Sequence, residues 1–226
     1  IVDVSDPTAP QVVGEIGAPD EAVASMSSRE LRALPERDLL IVLNIYCSPD
    51  LHGCVPAGVG TPKENLRFYD ISDRRAPALL ATYEFTSSVV RPTSPHEMFL
   101  WRDPADAGRL LIFLATPPSA PAFQVIDASD PSAPTLLASW DPIRDGGLPG
   151  PVGNDNILHS VSVSDDGRTG YFSHQNDGLV LVDLGDVVDG VVEPAITMLT
   201  PPEASADWAP PEPAGPSRGA AALFTG

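Results

Sequence analysis

The sequence predicts an all-β protein built from repeated four-stranded antiparallel units, and two observations lead to this fold class. First, the segment IVDVSDPTAP at residues 1–10 returns as FYDISDRRAP from Phe68 and as QVIDASDPSAP from Gln124, with LVLVDL from Leu179 as a fainter copy. The recurring aspartates are 67, 57 and 56 residues apart, a period near that of propeller blades and above that of helical repeats: Asp3, Asp70, Asp127 and Asp183. Second, 26 Pro and 18 Gly separate short runs of Val, Ile, Leu and Phe, which is typical of short strands joined by turns.

Within each period, four apolar segments alternate with turn residues, and this pattern predicts a four-stranded meander. The first complete period contains SSRELRAL, DLLIVLNIY, NLRFYDI and ALLATYEF; the second contains EMFLW, RLLIFLAT, AFQVIDA and TLLASW; the third contains HSVSVS, YFSH, LVLVDL and AITMLT. Two tight hairpin turns are predicted at 166–167 and 176–178, because Gly and Asn readily adopt positive φ. The Ser-Asp-Pro-x-x-Pro motif joins the third strand to the fourth. Its aspartates are explained as turn formers that accept backbone N–H bonds, with metal binding as the alternative.

Runs such as LLIFLA at 110–115 are apolar at consecutive positions, so both faces of their sheets must be covered. Radially stacked blades provide that cover, which favours a β-propeller. We expect residues 1–226 to form a single propeller segment with the end of a blade at 1–17, blades at 21–85, 96–140 and 157–200, a Pro-rich connection at 201–219 and a candidate start of another blade at 219–226. Such a chain is expected to be an incomplete ring, or a fragment of a larger propeller of about seven blades.

Charge and motifs narrow the functional classes. Thirteen basic against 31 acidic side chains give a net charge of −18, so we expect no nucleic-acid partner. No apolar run reaches the roughly 18 to 20 residues of a membrane helix, so no membrane-spanning segment is expected within this sequence. Phosphate-binding loops, a GxSxG elbow and an HExxH motif are all absent from the sequence.

The three copies of the first motif, together with LHSVSVSDDGRTGYFSHQNDGLVLVDL from Leu158, resemble the LVIVD-repeat family of bacterial and archaeal β-propellers. The resemblance covers most of residues 1–200, although LGDVVDGVVEP replaces the turn motif in the fourth copy. It implies a propeller fold and an exported protein, extracellular or in the cell envelope, with any signal or anchor outside this sequence. It supplies no catalytic signature.

Three histidines are the candidate metal ligands: His96, His159 and His174. If 166–167 is a two-residue hairpin loop, counting outward places His159 directly opposite His174, with Cβ atoms roughly 4.5 to 5.5 Å apart. His96 begins the first strand of the preceding period as His159 begins its own. Because first strands of propeller blades line the central channel, these imidazoles are expected to converge near its mouth and to hold Zn, Fe or Cu.

Glu97 and Asp155 are the expected hydrogen-bonding partners of those ligands, or a general base. The arrangement also resembles, more distantly, the histidine-rich channel of the selenium-binding protein and methanethiol oxidase group. Two points oppose a repeated ring of histidines. Histidines at strand starts often bond to the neighbouring backbone instead, and the corresponding strand of the first period, near 26–28, has none.

Cys47 and Cys54 are the only cysteines, and they bracket six residues of a long insertion. Their even number and the envelope location implied by the resemblance lead us to expect a disulfide. A Cys-Cys-His metal site with His52 is the alternative.

Together these observations predict a non-catalytic binding or scaffold propeller that contacts a protein or glycan partner through loops at its faces. The alternative is a metal-dependent enzyme, an oxidoreductase or hydrolase, that uses the channel histidines.

Overall fold

The computed structural model describes residues 1–14, 16, 26–46, 64–85, 95–116, 121–148, 157–175 and 177–200. These residues form three four-stranded antiparallel sheets and a two-stranded ribbon, with one short α-helix in the part described. The predicted all-β class and its four-stranded antiparallel units are therefore confirmed. Among the same residues, no helix is long and apolar enough to cross a membrane.

Strands within each four-stranded sheet follow one another in chain order, as a meander requires. The ribbon pairs β1 (Val2–Asp3) with β2 (Gln11–Val12). The first sheet contains β3 (Met26–Leu34), β4 (Leu39–Tyr46), β5 (Asn65–Asp70) and β6 (Ala78–Glu84). The second contains β7 (Glu97–Arg102), β8 (Leu110–Ala115), β9 (Phe123–Asp127) and β10 (Thr135–Trp140). The third contains β11 (Leu158–Val163), β12 (Thr169–His174), β13 (Gly178–Asp183) and β14 (Thr197–Thr200), with α1 (Gly185–Val188) in the segment that departs from the repeat.

The second sheet lies between the other two, and strand β8 shows this most clearly. All six of its residues are fully buried. Because successive side chains of a strand point to opposite faces, Leu110, Ile112 and Leu114 pack in one core with the first sheet, whereas Leu111, Phe113 and Ala115 pack in another with the third. The run of consecutive apolar residues is thus explained by a sheet that is covered on both faces.

The first strands of the three sheets approach one another: β7 contacts both β3 and β11. Two hydrogen bonds tie them together. The Glu30 carboxylate on β3 accepts the Met98 N–H on β7 at 2.7 Å, and the Trp101 indole N–H on β7 donates to the Asp165 carbonyl, after β11, at 3.0 Å. Sheets that stand side by side with their first strands adjacent fit a fragment of a propeller.

The recurring aspartates act as turn formers. Each accepts the backbone N–H of the residue two positions ahead, at 2.7 to 2.9 Å: Asp3, Asp70, Asp127 and Asp183. The second aspartate of the motif does the same at 2.9 Å in all three full copies: Asp6, Asp73 and Asp130. Hydrogen bonds from the side chain and backbone of Ser5 hold the pKa of Asp3 below its usual value. The repeated motif is therefore a structural device for joining the third strand to the fourth.

Candidate functional site

Three potential metal ligands meet where the first strands of the second and third sheets begin. His96 directly precedes β7, Glu97 is the first residue of β7, and His159 is the second residue of β11. One donor atom from each lies within 4.8 Å of the other two. We call these three residues the mouth cluster.

The distances within the mouth cluster are short and its side chains reach solvent. The Glu97 Oε1 atom lies 3.7 Å from His159 Nδ1 and 3.9 Å from His96 Nδ1. The two imidazole rings are tilted by 58° with their centroids 4.3 Å apart. Exposed fractions of the side chains are 26% for His96, 31% for Glu97 and 38% for His159. An ion in solution can therefore reach the donor atoms.

Strand pairing shows how the repeat produces this meeting. The motif aspartates of the third strands lie opposite equivalent second-strand residues, which are Leu39, Leu111 and Thr169. The residues four positions further along the second strands, at 43, 115 and 173, lie opposite Glu30, Glu97 and Ser160. These three first-strand positions are therefore equivalent in the repeat.

It follows that the residues just before them, Arg29, His96 and His159, are also equivalent. In the first and third sheets this residue is the extra one of a β-bulge, because the pairing shifts between Ser28 and Glu30 and between Leu158 and Ser160. A bulge locally re-aims side chains. The three equivalent side chains form a row, in which the Arg29 Nη2 atom lies 3.4 Å from His96 Nδ1 and the His96 ring contacts the His159 ring.

The bulge in β11 also overturns one prediction, that His159 lies opposite His174. The predicted register holds from the pair Val163 and Gly170 to the pair Ser160 and Ser173, but beyond the bulge Leu158 is the residue opposite His174. The positive φ predicted for the turns is confirmed at Gly167 and Gly178, both at +75°. The turn chemistry was therefore right, and the extra residue alone displaced the histidine.

His174 lies outside the mouth cluster and has a partner of its own. Its side chain is only 1% exposed, and its Nδ1 atom lies 2.7 Å from Asp177 Oδ2 at the start of the third strand. Burial lowers the pKa of His174, and the Asp177 carboxylate opposes that effect. The residues equivalent to His174 in the first and second sheets are Asn44 and Thr116. Both are buried, and each forms a hydrogen bond near the start of the third strand of its sheet. This geometry is that of a side chain holding a turn.

The electrostatics of the mouth cluster favour a neutral imidazole. Burial, followed by the positive charges of Arg29 and His159, lowers the pKa of His96 to about 4, although Glu97 opposes the shift. His96 is therefore uncharged at neutral pH and keeps a nitrogen lone pair, which is the form that binds metal ions.

Sequence reasoning missed Arg29. It compared His96 and His159 with residues 26–28, whereas the pairing places Arg29 at the equivalent position. Arg29 is identified by counting residues along the second strand, from the residue opposite the motif aspartate to the residue opposite the first strand. This count is the same in all three sheets, because the bulges lie in the first strands and add no residue to the second. The other predicted site residues, Asp155, Cys47 and Cys54, lie outside the described residues, as does His52. Their proposed roles stay predictions.

A cleft of about 490 Å³ lies at the opposite end of the first strands and is lined in part by Glu36, Trp101, Arg102 and Asp165. Its Arg102 guanidinium already pairs with Glu36. The mouth cluster, with three donor atoms within 4.8 Å of one another, is therefore the better candidate for chemistry.

Fold and site together define a class: stacked four-stranded antiparallel sheets, of the kind found in propellers, with a His-Glu-His cluster where the first strands begin. Comparison with protein families then identifies the repeat. The family model named LVIVD repeat matches residues 1–17 and 121–141; the second of these segments contains β9, the Asp127 turn and β10. These two segments therefore match the LVIVD repeat. A search of curated proteins finds no match.

Proposed function

We propose that this chain is a binding module in which a rigid stack of sheets holds a divalent transition metal at His96, Glu97 and His159. The observation that supports the proposal most is that the donor atoms, from strands of two different sheets, lie within 4.8 Å of one another. Because His159 is far in sequence from His96 and Glu97, the arrangement depends on the stacking of the second and third sheets and on the bulge at His159 in β11.

The donor set is suited to Zn, with Fe and Cu as further candidates. Two imidazole nitrogens and one carboxylate oxygen are common ligands of these metals, and a Zn site with three protein ligands keeps a fourth position open. With metal–ligand bonds of about 2.0 to 2.2 Å in tetrahedral geometry, neighbouring donors are about 3.3 to 3.5 Å apart. The two separations from the Glu97 oxygen, 3.7 and 3.9 Å, are a few tenths of an ångström longer than this. The third separation, between the two imidazoles, is at most 4.8 Å and would shorten as well. Metal binding through His159 Nδ1 would also replace the 2.8 Å contact of this atom with Ser160 Oγ.

The surroundings hold the ligands in place. Glu97 begins a strand that is bonded to the first sheet through Met98 and Glu30, and to the third sheet through Trp101 and Asp165. Sites on strands are positioned more accurately than sites on loops. Because the pKa of His96 is lowered to about 4, its imidazole is already deprotonated at neutral pH and binds a metal without releasing a proton.

Calorimetric titration of Zn²⁺ into tag-free, chelator-treated protein tests the proposal. We expect one Zn²⁺ per chain in the wild type and loss of saturable binding in His96→Ala and in His159→Ala. His174→Gln is the matched control, since it also removes an imidazole from the third sheet but lies outside the cluster; it should keep the wild-type stoichiometry and affinity. Wild-type protein that binds no Zn²⁺, or variants that bind it equally well, would contradict the proposal. Circular dichroism confirms that each variant is folded.

A metal-dependent oxidoreductase or hydrolase is the second candidate, because the exposure of the mouth cluster leaves room for a water molecule and a substrate at the metal. The two candidates separate by turnover. Metal-loaded wild type, assayed with activated esters and with peroxide, should show activity that disappears in His159→Ala if the chain is an enzyme. Binding of one metal without turnover of either substrate class supports the non-catalytic binding module.

We further propose that the protein is exported and that its face loops contact a protein or glycan partner outside the cell or in its envelope. The net charge of −18 and the resemblance to exported repeat proteins support this location. Mass spectrometry of the unreduced protein from its native host should find Cys47 linked to Cys54. Free thiols at both positions would contradict an oxidising location.

A further inference from the structure

The position of Arg29 suggests which ligand the mouth cluster receives. Its guanidinium lies 3.4 Å from the His96 imidazole, which carries no negative charge to pair with it. Within the described residues, no carboxylate lies within ion-pair distance of Arg29. Most other arginines of this part of the chain have one: Arg32, Arg75, Arg102, Arg109, Arg144 and Arg168.

Carboxylates are abundant in this chain, which has 31 acidic and 13 basic side chains, yet Arg29 lies beside an imidazole. A cation placed beside a metal site weakens metal binding by repulsion unless an anion accompanies the metal. The planar guanidinium fork binds carboxylates in a bidentate manner. Arg29 is exposed, occupies the same repeat position as His96 and His159, and lies beside His96, so it borders the mouth cluster.

We propose that Arg29 binds the carboxylate group of an anionic ligand that also occupies the open coordination position of the metal at His96, Glu97 and His159. This inference rests on the proposed metal site and names the ligand class of that site. A monoanionic carboxylate fits better than a phosphate ester, because the surrounding net charge of −18 penalises a doubly charged anion more strongly.

Arg29 would act together with the metal in this arrangement. One carboxylate oxygen would bind the metal, and the guanidinium would donate N–H hydrogen bonds to the same carboxylate. Because the metal and the guanidinium contact the carboxylate separately, removing Arg29 should weaken binding of the anion without releasing the metal. Loss of the neighbouring positive charge should even strengthen the metal's own binding slightly.

The experiment uses Co²⁺ as the metal probe and acetate as the anion probe, at constant ionic strength. The visible absorption of Co²⁺-loaded protein reports both the metal and a change in its coordination. We expect acetate to change the wild-type spectrum saturably, and Arg29→Gln to weaken acetate binding roughly tenfold or more with unchanged or tighter Co²⁺ binding. Arg75→Gln is the charge-matched control, because this residue lies in a turn beside Asp3; it should retain wild-type acetate affinity.

The possible results are distinguishable. Failure of the wild type to bind Co²⁺ overturns the proposed metal site, and the present inference with it. Normal Co²⁺ binding with an acetate affinity that is the same in wild type and Arg29→Gln overturns the role of Arg29 alone. A phosphate monoester that binds more tightly than acetate, in an Arg29-dependent manner, overturns the assignment of the carboxylate class.

Discussion

Replacing Gly167 with alanine is expected to loosen the contact between the second and third sheets. Gly167 adopts a φ of +75°, and a β-carbon at this position would lie 2.6 Å from Cε2 and 2.7 Å from Cζ2 of the Trp101 ring. The ring cannot move away freely. It is 4% exposed, donates to the Asp165 carbonyl, and has the Arg109 guanidinium 5.8 Å from its centroid.

Two costs add in this variant. The left-handed backbone costs an alanine roughly 1 to 2 kcal/mol, and the forced displacement of a packed ring costs about 1 to 3 kcal/mol more. The sum of about 2 to 5 kcal/mol corresponds to a Tm lower by roughly 5 to 15 °C for a chain of this size. Thermal unfolding followed by circular dichroism, together with urea unfolding, measures it.

Gly190→Ala is the matched control. Gly190 also has a positive φ, +69°, but no atom lies within 4 Å of the β-carbon that alanine would add. This variant should lose only the backbone part, about 1 to 2 kcal/mol. Equal losses in the two variants would refute the claim that Trp101 fills the space above the turn and joins the sheets.

Three further predictions concern the turn motif, the pH dependence and His174. Asp127→Ala removes the acceptor of the Ser129 N–H and should lower the free energy of unfolding by about 0.5 to 2 kcal/mol in urea, whereas Asp127→Asn, which keeps an acceptor oxygen, should lose less; equal losses would count against the hydrogen bond. In metal-free protein, His96 has a pKa of about 4 against an ordinary 6.5, so the unfolded chain takes up a proton that the native state does not, and stability falls as the pH decreases from 6.5 towards 4. The ceiling is about 3 kcal/mol, reduced to about 1 to 2 kcal/mol by solvent screening. The urea midpoint of wild type should fall relative to that of His96→Gln as the pH decreases over this range, and parallel curves would contradict the shift. His174→Ala removes the imidazole that lies 2.7 Å from the buried Asp177 carboxylate oxygen and should lower the free energy of unfolding by about 1 to 3 kcal/mol. A variant as stable as the wild type would show that this contact does not stabilise the turn.

The sheets were predictable because their signals are local. Turn residues mark the strand ends, and an apolar run such as Leu110–Ala115 indicates that both faces of its sheet are covered. The recurring aspartate carries its own explanation, since its oxygen reaches the N–H two residues ahead. Each of these features depends on neighbours within a few positions, so no knowledge of the tertiary arrangement is needed.

The candidate site was only partly predictable because it depends on two β-bulges. A bulge adds one residue to a strand without a residue type that marks it, so counting outward from a turn fails beyond that point. The bulge in β11 moved His159 away from His174 and towards His96. The bulge in β3 brought Arg29 to the equivalent position, where the sequence alone had indicated no counterpart. The convergence of His96 with His159 was expected from the repeat, and the distances show it.

The most direct test of the mouth cluster is X-ray absorption spectroscopy of the protein loaded with one equivalent of Zn²⁺. We expect scattering from two imidazole rings and a carboxylate oxygen in the wild type, and from a single imidazole around any Zn²⁺ that the His159→Ala variant retains. A wild-type spectrum without two imidazoles, or one that His159→Ala leaves unchanged, would show that stacking of the sheets does not assemble His96, Glu97 and His159 into a metal site.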